Sequence, residues 1–190
     1  MATAANAPIT PEEYLERERK AEFRSEYFQG RVTAMAGGTY EHSIIIGNLI
    51  RELSQGLRKM VCTVSSSDVR LSIPSSRLYT YPDVMVVCGD PAFVDNRRDT
   101  VSNPVLVIEV LSESNKDYER GEKFRSYRTI PSLIEYLTVA QDKMNVEQYV
   151  RQSDDRWLLT DYSEAASRIQ LASFGLELQL SDIYEKVEFA

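Results

Sequence analysis

The chain has 190 residues, 43% of them apolar, and carries 29 acidic against 22 basic side chains, a formal charge of −7. That length suits one domain, 1–190, with a core of ordinary size, and the charge argues against a broad basic surface that would bind nucleic acid indiscriminately. No apolar run reaches the length of a bilayer span, and residues 1–8 lack the basic and apolar regions of a secretory signal, so a cytoplasmic protein with no membrane partner is expected.

Thr10-Pro11-Glu12-Glu13 forms a capping box with Pro at the first helical position, which predicts a helix running to about Ala21. Residues 26–36 alternate as a hairpin turning at Gln29-Gly30, and Gly37-Gly38 ends it. From Tyr40 to Lys59, Ile46, Leu49, Leu53 and Leu57 recur at helical spacing, with His42 four residues before Ile46 on the same stripe. As the single histidine it is a candidate site residue, although a hydrogen-bonded core histidine is the simpler reading. Cys62 and Cys88 are too few for a disulfide framework or a metal cluster, so buried reduced thiols are expected.

Two strands follow, 61–73 and 78–87, around a turn at Pro74-Ser75-Ser76. If the turn centres there, Asp68 falls opposite Asp83 and joins it as a possible site residue. A slip of one residue would send it to the other face as a surface acid, which is the simpler reading. The polar stretch 89–102 is long enough to act as a flap over a site.

Glu109 lies in the most apolar run of the chain, Val105-Leu106-Val107-Ile108-Glu109-Val110-Leu111, which reads as a strand buried on both faces. A carboxylate there loses several kcal/mol of solvation, roughly, unless it is protonated, paired or metal-bound. Asp83 opens a second β-branched run after Pro82, so neighbouring strands can bring the two acids together. A hard divalent cation favours that arrangement, with water and substrate phosphate completing its shell. Ser114 or Asn115 then caps a helix that Ile130-Pro131 stops. On it Lys123 and Tyr127 share a face, with Arg120 and Lys116 one and two turns earlier. An ammonium carried back over the Glu109 strand could offset charge on a phosphate transition state. Lys116, Arg120, Lys123, Arg125 and Arg128 form a candidate basic strip for nucleic acid.

Residues 133–139 read as a further strand, and 145–151 with 157–162 as a hairpin around Ser153-Asp154-Asp155. Leu176 to Leu180 alternates as an edge strand, and 181–185 closes the chain as a short helix. The whole is an α/β (α+β) arrangement, a central mixed sheet flanked by helices, with an extra N-terminal helix and hairpin and a C-terminal hairpin.

Pro82-Asp83, then Glu109 within I-E-V-L-S, then Asp117 and Lys123 on the next helix, then Tyr127 and Glu135-Tyr136, together resemble the Uma-type family of restriction endonucleases in the PD-(D/E)XK nuclease superfamily. The resemblance covers about Glu12 to Tyr149, including Glu26-Tyr27-Phe28-Gln29-Gly30-Arg31-Val32 and the helix opening near His42. It implies a restriction-endonuclease-like core and a metal-dependent endonuclease acting on nucleic acid, most readily DNA. It further implies Mg²⁺ (or Mn²⁺) held by Asp83, Glu109 and the Val110 carbonyl, catalysis by Asp83, Glu109 and Lys123, and Lys116 and Arg120 on the nucleic acid. Glu26, His42, Asp68 and Tyr127 are possible additional site residues. The superfamily usually has Lys where this chain has Leu111, and Lys123 would be the migrated equivalent. Two other readings remain open: a nuclease-fold binding protein without cleavage, and an interaction module in which Glu109 and Lys123 are a buried ion pair. A double-strand cutter needs two sites, hence a homodimer.

Overall fold

The computed structural model describes residues 8–112 and 116–189. Helix α1 (Pro11–Glu18) begins on the expected capping box: the Thr10 hydroxyl accepts from the Glu13 N–H at 3.2 Å, and the Glu13 carboxylate from the Thr10 N–H at 3.0 Å. It stops short of Ala21. Arg19 turns instead to Asp95 and Asp99, at 2.7 and 2.8 Å. Strands β1 (Ser25–Phe28) and β2 (Arg31–Ala34) form the expected hairpin, with Gln29 and Gly30 both at positive φ (49° and 93°), a conformation that glycine adopts without penalty.

Helix α2 (Tyr40–Leu57) is capped by Thr39 and buries Ile45, Leu49, Leu53 and Leu57. Ile45 replaces the expected Ile46 on the buried stripe, because an unbroken four-residue step back from Leu49 lands there. Each such side chain stabilises the fold by about 2 kcal/mol. The stripe packs on one face of a six-stranded sheet, against Val84, Val86, Leu106, Ile108 and Val110.

That sheet has the order β11-β10-β9-β8-β6-β3 and contains β3 (Cys62–Ser66), β6 (Val84–Cys88), β8 (Leu106–Leu111), β9 (Glu135–Ala140), β10 (Val146–Arg151) and β11 (Trp157–Tyr162). β8 and β9 run parallel and every other neighbouring pair is antiparallel. A five-stranded sheet, β2-β1-β5-β4-β7, adds β4 (Arg70–Ile73), β5 (Leu78–Thr80) and β7 (Thr100–Val101). Between the two sheets lies a second core, in which Met85, Val87, Val107 and Tyr136 meet Leu71, Ile73, Leu78 and Tyr127. β8 is therefore covered on both faces, as its unbroken apolar run requires.

The two long strands expected at 61–73 and 78–87 are each broken. β4 pairs with β5 across the Pro74–Ser76 turn in one sheet, and β3 pairs with β6 in the other. Pro82 has no N–H to offer a ladder, and the chain changes sheets there. Asp68 falls in the matching break and, exposed, pairs with Arg24, so it does not stand opposite Asp83. The stretch 89–102 is no flap: Asp95 and Asp99 bind Arg19 of the segment after α1, and Thr100–Val101 joins β4.

Past the site helix, described below, β12 (Arg168–Leu171) pairs with β13 (Leu176–Gln179), and α5 (Leu180–Ile183) follows. The expected edge strand is β13, which lies at an edge of this separate two-stranded sheet. The N-cap expected at Ser114 or Asn115 lies outside the described residues. No helix among the described residues is long and apolar enough to cross a membrane.

Cys62 and Cys88 are directly opposed in the β3–β6 register and joined by a disulfide, which corrects the expectation of reduced thiols. Periodicity could not reveal this, since only strand pairing sets the two side chains face to face. The bridge closes a loop of 26 residues in sequence separation. Its reduction should lower stability by about 3 kcal/mol through the unfolded chain's regained freedom. Urea melts with and without reductant, beside a count of titratable thiols, measure this.

Candidate active site

The site grows from the β6–β8 pairing. Val84 is registered on Ile108, so one step further Asp83 stands beside Glu109. The Val110 N–H donates to Asp83 Oδ2 at 2.8 Å, and the Asp83 N–H faces Glu109 Oε2 at 3.4 Å. Alternation along β8 turns Ile108 and Val110 to the α2 core and Glu109 to the opposite side, under the helical segment 116–127.

That segment is built of α3 (Lys116–Tyr118), a π-helical turn at Glu119–Lys123, and α4 (Phe124–Tyr127). π-turns are uncommon and recur at functional sites. This one presents Glu119, Lys123 and Tyr127 to Glu109. Lys123 Nζ lies 2.9 Å from Glu109 Oε1, 3.0 Å from Glu119 Oε1 and 3.9 Å from Glu26 Oε2. The Tyr127 hydroxyl donates to the same Glu109 oxygen, and the Tyr136 hydroxyl donates to the Glu119 carbonyl at 3.2 Å. Glu26, on β1, accepts from Thr80 at 2.7 Å and from the Tyr118 hydroxyl.

Glu26, Asp83, Glu109, Tyr118, Glu119 and Lys123 line a cavity of about 620 Å³ that also reaches His42 and the 33–39 segment. His42 Nε2 sits 3.4 Å from Asp83 Oδ2. Gly38 allows the approach, because a Cβ there would fall 2.5 Å from the ring's Nδ1. The structure thus brings Glu26, His42, Asp83, Glu109, Lys123 and Tyr127 together and leaves Asp68 outside. Arg120 does not share the face of Lys123; it turns to Glu147 on β10, at 2.8 Å. Lys116 lines a neighbouring smaller cavity with Arg120. Lys123 is only 3% exposed, and Asp117, Arg125 and Arg128 are exposed outside both cavities, so the expected strip does not form one surface.

Glu119 and Tyr118 are what the sequence reading missed. A carboxylate four residues before Lys123 was the available signal, but among so many surface acids nothing marked it as buried. Glu119 is 5% exposed, and its Oε2 has no hydrogen-bond partner among the described residues.

Four carboxyl groups therefore meet one ammonium and one imidazole. Burial raises Glu109 well above the usual carboxylate range, and the Glu119 charge adds to this against the pull of Lys123. Glu119 is raised for the same first reason, with Lys123 opposing. Burial would depress Lys123, but Glu109, Glu119 and Glu26 outweigh it and hold the ammonium charged. Burial and the Glu109 charge keep Tyr127 protonated as a donor. His42 is pushed down by burial and more strongly up by Asp83 and the Val110 carbonyl, so it ends above its usual 6.5. A raised histidine contributes stability that is complete below about pH 6.5 and lost as pH climbs through the folded value. His42→Gln should therefore cost about 1 kcal/mol at pH 6 and less at pH 9, read from denaturant melts at both.

The donor set suits a hard cation: carboxylate oxygens in excess of positive charge, one of them, on Glu119, without a hydrogen-bond partner among the described residues. Among the described residues no three His, Cys, Asp or Glu side chains are already gathered to hold one metal ion.

Two relatives from Synechocystis sp., both described as uncharacterized, match over nearly the whole chain. Protein sll1609 is 39% identical over 90% of this chain and 97% of its own length. Protein slr1290 is 37% identical over the full length of both. A crystal structure described as "a putative nuclease belonging to DUF820" from Anabaena variabilis superposes with a TM-score of 0.74 at 18% identity, covering 93% of this chain and 98% of that one. The two share a nuclease-like fold of mixed sheets flanked by helices. A family model described as "Putative restriction endonuclease" matches residues 11–181, a span that holds every residue of the cavity, and with it the chain belongs to the Uma2 family.

Proposed function

We propose that this protein is a divalent-metal-dependent phosphodiesterase that cuts nucleic acid, DNA foremost. The observation that carries the reading is the placement of Asp83 and Glu109 side by side at the floor of one cavity, with Lys123 Nζ 2.9 Å from Glu109. Asp83, Glu109 and the Val110 carbonyl would hold Mg²⁺ or Mn²⁺. The chemistry supplied by such an ion is Lewis-acid polarisation of the phosphate and a water of lowered pKa. Tyr127 keeps Glu109 in place, and His42 orients Asp83. Lys123, held charged, offsets negative charge as it builds on the phosphate. Since a double-strand cutter needs two sites, the active form is a homodimer.

The experiment is an incubation of plasmid and single-stranded DNA with Mg²⁺, Mn²⁺ or EDTA. Cutting should require the ion and vanish in Asp83→Asn. A second reading, a fold in which Glu109 and Lys123 are a buried structural pair, draws on the burial of Lys123 between two carboxylates. Wild type that cuts no nucleic acid with either ion would leave that reading in place.

A further inference from the structure

We propose that Lys116, Arg120 and Lys143 form an anion cradle for a backbone phosphate of the nucleic-acid strand, adjoining the phosphate at Glu109. The three line a second cavity, of about 80 Å³, in which Asp142 is the one acidic wall residue among the described residues. Among the described wall residues three cations stand against one carboxylate, the reverse of the balance in the main cavity and of a chain carrying −7. Ser112 lines both cavities, so the cradle abuts the carboxylate site through the residue that follows β8.

The three come from different elements. Lys116 opens α3, Arg120 belongs to the π-turn, and Lys143 lies in the β9–β10 connection. Arg120 is set by its bond to Glu147, which also accepts from Thr138 and Tyr149 at 3.0 and 3.2 Å. A guanidinium fixed in this way and an ammonium on a flexible stem suit a phosphodiester, the first by its planar fork and the second as a point charge. Lys143 is exposed and, among the described residues, has no ion-pair partner, so its charge is available to a ligand.

The assignment to nucleic acid rests on the phosphodiesterase reading, whereas the cradle itself rests on the placement of the three cations. The test compares full-length wild type with Lys143→Glu and with Lys59→Glu, an identical charge change outside both cavities. Anisotropy of a labelled single-stranded oligonucleotide is followed in EDTA across a salt series. Lys143→Glu should bind on the order of tenfold more weakly with a salt slope shallower by about 0.7, while Lys59→Glu follows wild type. In steady-state cutting it should raise KM more than it lowers kcat. Calorimetric titration with inorganic pyrophosphate forms a separate arm, in which Lys143→Glu should again bind more weakly. Wild type that cuts DNA while both variants bind alike would overturn the cradle and leave the reading intact. Pyrophosphate binding that depends on Lys143, with no nucleic acid bound, would keep the anion site and sink its assignment to nucleic acid. Wild type that binds neither probe overturns the proposal outright.

Discussion

Lys123→Ala should lower the cleavage rate about 10²-fold or more, the usual worth of one pre-aligned donor to the transition state. The same change strands Glu109 and Glu119, which share the ammonium at 2.9 and 3.0 Å, and removing one partner from a buried cluster costs about 3 to 5 kcal/mol. Lost activity must therefore be separated from lost fold. Lys123→Arg keeps the positive charge but changes its shape and reach, so it should remain folded and recover little of the rate. Stability supplies a second check, with Lys123→Met. Without the ammonium that opposes burial, Glu109 and Glu119 should rise further above the carboxylate range. A carboxyl raised in the folded state contributes stability that is lost as pH climbs, so the deficit of Lys123→Met should be larger at pH 8 than at pH 5. Arg120→Ala should mainly weaken binding and flatten its salt dependence, because its guanidinium points to Glu147 rather than to the cavity floor. If Lys123→Ala cuts as fast as wild type, the ammonium has no part in the chemistry.

Mg²⁺ or Mn²⁺ at about a hundred times its dissociation constant should stabilise wild type by about 2.7 kcal/mol, since the ion binds the folded site and hardly the unfolded chain. Asp83→Asn and Glu109→Gln should each remove that gain. In EDTA the two readings of the site separate again. Burial and the Glu119 charge both disfavour an ionised Glu109, so Glu109→Gln should leave the metal-free protein at least as stable as wild type. Lys123 keeps Glu119 and Glu26 as partners in that variant. A structural ion pair requires the opposite, a loss of about 3 to 5 kcal/mol. Melts of three proteins, with metal and with EDTA, decide between them. An equal metal shift in wild type and both variants would mean that neither acid is a ligand.

Much of the site is legible along the chain because its main acids break local rules. Glu109 interrupts an apolar run and Asp83 follows a proline at the head of another, so each is conspicuous without any fold. Lys123 and Tyr127 are linked by helical spacing alone, and both reach Glu109. The helix starting at Thr10 and the hairpin at Gln29-Gly30 are readable for the same local reason: caps and positive-φ turns depend on a few adjacent residues.

Where the reading failed, the deciding partner lay far off in sequence. Counting from the turn sets Asp68 opposite Asp83 only if the ladder is unbroken, and the alternative of a surface acid is the one the structure shows. The ladder divides between two sheets, and Asp68 falls in the gap. The polarity and length of the 89–102 stretch suggest a flap, yet Arg19, some eighty positions away, fixes it. Glu119 looked like any acid on a helix until a π-turn and Tyr136 enclosed it.

By itself the sequence determined the mixed α/β class, the order of its principal elements and a carboxylate pair with a lysine on the following helix. These follow from periodicity, capping and the cost of placing a charge in an apolar strand. Only the tertiary structure decided which acids share the cavity, where Arg120 points, that Cys62 meets Cys88, and that Lys143 stands beside Lys116 and Arg120. Sheet register and the packing of one sheet on another bring together residues tens of positions apart, and no local pattern in the chain encodes that distance.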